Sequence, residues 1–73
     1  MPSKPYHRQV LGNKIRSYRK QAGLTQEQLA EKADLSYKYV GEVERGCVNI
    51  SLDSLVRIAK ALKVKVSDLV ADF

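Results

Sequence analysis

The chain has 73 residues, 29% of them charged, and a formal net charge of +5 with a pI near 9.6. Such a length is one domain, which buries only about 60% of the surface its unfolded form exposes. Cys47 is the only Cys and His7 the only His, which excludes an intrachain disulfide framework and a Cys/His zinc site, and no cofactor is expected.

Pro2 and Pro5 mark residues 1–7 as an irregular N-terminal arm ahead of one domain over 8–73. No acid precedes Glu27, while Lys4, Arg8, Lys14, Arg16, Arg19 and Lys20 all do. That imbalance points toward an anionic partner, against the plain reading of a solvated basic face. From residue 8 to 22, Leu11, Ile15, Tyr18 and Ala22 recur on one face of a first helix, and Gly23 stands where a left-handed C-cap belongs. Thr25 and Gln28 then form a capping box for a helix over 26–33, whose buried stripe is Leu29, Ala30 and Ala33. Small Ala side chains let another helix come close. Asp34 falls at the turn and tolerates left-handed backbone better than most residues.

Ser36 caps a third helix over 37–45, with Val40 and Val43 facing inward and Gly46 ending it. Ser51 precedes a fourth over 52–62, with Leu52, Leu55, Ile58, Ala59 and Leu62 as its apolar face. Val66, Leu69, Val70 and Phe73 suggest a short fifth helix over 66–72. No run is apolar enough to span a bilayer, and no signal-peptide pattern is visible, so the expectation is a cytoplasmic protein away from membranes. A constellation for nucleophilic or metal catalysis is also lacking, so an enzyme is not expected.

Two short helices joined by a tight turn are a helix-turn-helix arrangement. A helix fits the DNA major groove, and the cap at Ser36 defines an inserted tip whose free backbone amides can meet phosphate.

The order LGNKIRSYRKQAGLTQEQLAEKADLS, YVGEVERG and NISLDSLVRIAKAL resembles the Cro/C1-type (XRE-like) helix-turn-helix family of phage repressors and bacterial regulators. The likeness covers roughly residues 10–70. Among small members the chain looks most like the controller proteins of restriction–modification systems. The resemblance implies an all-α, five-helix, lambda-repressor-like domain that binds double-stranded DNA as a homodimer.

By the same resemblance, Tyr37, Lys38 and Glu42 would contact bases from the recognition helix. Gln26, Ser36, Tyr39, Arg45 and Asn49 would hold the DNA backbone, and Arg19 and Glu44 would form a structural ion pair. Arg16 and Lys20 would add long-range attraction. With no further domain expected, the dimer surface falls to Leu69, Val70 and Phe73 with part of the fourth helix. The implied function is a transcriptional regulator or repressor acting on a near-palindromic operator, with RNA polymerase a further partner if it activates. The alternative is an antitoxin-type interaction module that autoregulates its operon.

The chain departs from the family at several positions. Asp34 replaces a turn Gly, Gly41 lies inside the recognition helix, Lys63 takes a C-cap Gly position, and Lys65 takes the place of a capping Ser.

Overall fold

The apolar stripes of the sequence meet in one core in the computed structural model, which describes residues 6–71. These residues form helices α1 (Tyr6–Gln21), α2 (Gln26–Ala33), α3 (Tyr37–Glu44), α4 (Leu52–Leu62) and α5 (Val66–Val70), with no strand among them. The fold class is all-α. Helix α1 starts two residues ahead of its expected position, because Tyr6 and His7 carry nothing that breaks a helix. Helix α5 closes at Val70, sooner than the expected 72.

Helices of eight residues, such as α2 and α3, are marginal alone in water, so packing must hold them. Ile15, Leu29, Val40, Ile58 and Leu69 are each fully buried, and a buried aliphatic side chain of this size contributes about 1.5–3 kcal/mol. That outweighs the few tenths of a kcal/mol by which intrinsic propensities differ among ordinary residues. Ala30 and Ala33 are buried on α2, which packs against both α3 and α4. Ala22, expected on the inner face of α1, is exposed; α1 ends at Gln21 and the chain has already begun to turn.

Four helix ends close with the same double hydrogen bond. After α2, Leu35 N donates to Ala30 O at 2.9 Å and Asp34 N donates to Glu31 O at 3.2 Å. Matching pairs follow α1 at Gly23–Leu24, α3 at Gly46–Cys47 and α4 at Lys63–Val64. This Schellman geometry satisfies carbonyls that the helix itself leaves unpaired, and it needs a left-handed residue. Gly23 and Gly46 supply it at φ 73° and 72°, while Asp34 and Lys63 adopt it at φ 57° and 60° despite carrying a Cβ.

The N-termini are capped as the sequence indicates. Thr25 and Gln28 exchange both hydrogen bonds of the capping box, at 3.1 and 2.9 Å. Ser36 Oγ accepts from Tyr39 N at 3.0 Å and Ser51 Oγ from Ser54 N at 3.1 Å. At α5 no Ser is needed: the Asp68 carboxylate accepts from Lys65 N at 2.9 Å.

One close approach was not legible as a pattern. A Cβ on Gly12 would lie 2.6 Å from both Glu44 O and Val43 O. Helix α1 therefore rests directly on the backbone at the C-terminal end of α3. This contact sets the C-terminal end of α3 against α1.

Leu69 corrects the expected dimer surface. It is 0% exposed and belongs to the core between α1, α4 and α5, so it has no face to offer a partner. Val70 is half-buried, and Phe73 lies outside the described residues.

Candidate nucleic-acid interface

The C-terminal end of α3 carries a buried charge. Glu44 is 2% exposed, in a helix whose other buried positions are Val40, Gly41 and Val43. Its carboxylate accepts from Arg19 Nε at 2.7 Å, Arg19 Nη2 at 3.1 Å and Gln26 Nε2 at 3.0 Å. Arg16 adds a bond from Nη2 to Glu44 O at 3.2 Å and places Nε 3.5 Å from Oε1. Arg19 is further tied to Leu24 O through Nη1 at 2.9 Å. The two-pronged Arg19 contact has the geometry in which guanidinium–carboxylate pairs are strongest. Arg16, expected only as a source of long-range attraction, is part of this network.

Burial alone would push the Glu44 carboxyl up. Hydrogen bonds from Arg19 and Gln26, the Arg19 charge and the bond from Arg16 outweigh it, and the pKa lies below its ordinary value of 4.5. The group is an anion at neutral pH and a strong acceptor.

Gln26 is the first residue of α2, and one of its amide protons is held by Glu44. Its oxygen is thereby turned toward α3, where it would stand 3.9 Å from a Cβ on Gly41. Gln26, Tyr37, Lys38, Gly41 and Arg45 line one shallow depression on the outer side of α3. Tyr37 is 56% exposed, and Lys38 and Arg45 are exposed beside it. Two neighbouring depressions extend the surface. One, lined by Arg19, Thr25, Gln26, Glu27 and Tyr37, runs along the start of α2; the other, lined by Gln9, Asn13, Arg16 and Arg45, runs along α1.

The remaining sequence-derived candidates lie on α3 or next to it in the chain. Glu42 is half-buried on α3, and Asn49 is exposed in the loop that follows. Ser36 is exposed at the cap, where its hydroxyl already serves Tyr39 N. Tyr39 packs partly into the core, and its hydroxyl accepts from Ser51 N at 3.4 Å. It therefore spans from the start of α3 to the cap of α4, with its O–H proton still able to donate. Gln9 and Asn13 were not singled out in the sequence. Their only signal would have been their one-turn spacing on the side of α1 that carries Arg16.

Helices α2 and α3 are each eight residues long and are joined by the turn at 34–36, with the exposed start of α3 facing out. The helix-turn-helix family model HTH_3 matches residues 15–69, which includes all of this unit. The chain belongs to the helix-turn-helix family. That family is one of DNA-binding transcriptional regulators and not of enzymes.

Named relatives agree. The immunity repressor protein of Bacillus phage phi105 is 45% identical over 63 residues, covering 86% of this chain and 44% of the repressor. Control protein C.BamHI of Bacillus amyloliquefaciens is 41% identical over 63 residues, covering 85% of this chain and 78% of that protein. The chain thus spans less than half of the phage repressor but most of the control protein. The crystal structure of the restriction-modification controller protein C.AhdI from Aeromonas hydrophila is similar at TM-score 0.84 and 39% identity, covering 85% of this chain and 94% of that one. This helix-turn-helix domain has no described helix long and apolar enough to cross a membrane.

Proposed function

We propose that this helix-turn-helix protein is a homodimeric, sequence-specific transcriptional regulator of a near-palindromic operator, working in the cytoplasm in the manner of a restriction–modification controller. The observation that carries it is the depression at the start of α3. Two residues suited to base edges, Tyr37 and Lys38, share it with Gln26 and Arg45, and Glu44 anchors Gln26 from beneath.

Lys38 can donate to guanine O6 or N7, and the Tyr37 ring can lie on a thymine methyl. Glu42 can accept from cytosine N4 at the far edge of the same face. Arg45, Asn49, the Tyr39 hydroxyl, Ser36 and the free first-turn amides of Tyr37 and Lys38 beside it hold phosphates and so set the register. One such helix reads about 3–5 bases, and a two-fold dimer places its half-sites about one helical turn apart. In an activator, RNA polymerase would be a further partner. Similarity to an immunity repressor and to controller proteins favours regulation over the antitoxin alternative.

Selection of bound sites from a random duplex pool at a stated salt concentration tests this reading. Lys38→Ala should relax preference at one base position at a cost of about 1–3 kcal/mol, whereas Arg45→Ala should weaken all sequences alike and flatten the salt slope. Recovery of no enriched, dyad-symmetric sequence would refute it.

A further inference from the structure

Two glycines lie inside helices at buried positions, Gly12 in α1 and Gly41 in α3. Gly12 is explained by the fold, because a Cβ there would strike the α3 backbone at 2.6 Å. Gly41 is not. A Cβ on it would meet only Arg45 Nη1 at 3.2 Å and Gln26 Oε1 at 3.9 Å among the described residues, both side-chain ends and neither of them backbone. Its backbone is helical, with no positive φ to require Gly. Gly weakens a helix relative to Ala, and an eight-residue helix has little to spare. Among the described residues, no backbone approach requires the glycine.

The position of Gly41 suggests what does. It lies one turn from Tyr37 and Lys38 and one turn before Arg45, and all four line the same depression with Gln26. The missing side chain leaves the α3 backbone as the floor of that depression, with polar groups around the rim. We propose that this notch is the seat of a base-pair edge in the major groove, so that Gly41 determines specificity by letting one base pair approach the recognition helix more closely than any side chain would allow. The proposal rests on the DNA-binding reading above and adds a site to it. A flat edge fits a floor without a Cβ, and the rim donors can pair with its acceptors.

The test uses the full chain with Gly41→Ala and Gly41→Ser. Each is measured against the wild-type selected site and a panel of its single-base-pair variants, with thermal unfolding alongside. Wild-type protein that selects no sequence sinks the DNA-binding reading, and this proposal with it, before any variant is compared. Given a selected site, Gly41→Ala should keep or raise the unfolding temperature and lose about tenfold or more in affinity, with discrimination altered at one base position. Binding unchanged by either variant, a loss equal across all sequences, or a clear loss of thermal stability would each overturn it. Arg45→Ala with and without Gly41→Ala supplies the control. If displaced Arg45 causes the loss, the Gly41→Ala effect vanishes in that background; a steric notch predicts that it persists.

Discussion

Gln26 donates its side-chain amide to the buried Glu44 carboxylate at 3.0 Å, so the first residue of α2 is oriented by the last residue of α3. The same carboxylate anchors Arg19 of α1 at 2.7 Å. One charge thus fixes three helices relative to one another at the edge of the candidate DNA surface.

Removing that charge should be severe. Glu44→Ala leaves Arg19, whose side chain is only 11% exposed, without its carboxylate partner, and breaking a buried pair costs about 3–5 kcal/mol. Urea unfolding of the variant should show that loss, whereas a change below about 1 kcal/mol would place the pair among weak surface contacts.

The same group sets an acid limit. Its folded pKa lies below the ordinary value of 4.5, so its stabilisation is complete above that value and is lost as pH falls through the lower folded value. Unfolding free energy measured between pH 7 and pH 3 should therefore drop on the acid side. Glu44→Gln should remove part of that dependence; an unchanged pH profile in the variant would show that other carboxylates carry it.

Gly12→Ala tests the contact between α1 and α3. Helix propensity alone predicts a gain of up to about 1 kcal/mol. The 2.6 Å approach to two backbone carbonyls predicts the opposite, an overpacking loss of about 1–3 kcal/mol or more. The sign of the change in thermal midpoint decides between them.

Lys63 should be improvable. It holds φ 60° at the end of α4, which costs a residue with a Cβ about 1–2 kcal/mol. Lys63→Gly removes that strain at an entropic cost of about 0.5–1 kcal/mol. The midpoint should rise by a few degrees, at about 4–8 °C per kcal/mol in a domain of this size.

In the proposed dimer, Leu69 has no exposed surface to contribute. Val70 is half-buried on α5 and Leu52 is 70% exposed at the start of α4. Val70→Asp and Leu52→Asp, compared by sedimentation, should leave a folded chain with weakened self-association in at least one case. If both sediment as wild type does, the contact lies elsewhere.

Local chemistry determined much of this protein before any packing was considered. Helical spacing located five helices, and Thr25, Ser36 and Ser51 marked three of their starts, because caps act on amides within one turn. Asp34 as the left-handed link between α2 and α3 was legible for the same reason. Tertiary structure alone decided which residues share a surface. Leu69 and Val70 look alike in a stripe, yet one is buried in the core and the other half-exposed. Arg16 became a partner of Glu44, 28 positions away. Gly12 and Gly41, the same residue in two helices, have different surroundings: a backbone 2.6 Å away requires the first, whereas the second faces only side-chain ends. Caps and periodicity are short-range and can be read along the chain. Burial and close approach depend on elements distant in sequence, and exist only once the helices have packed.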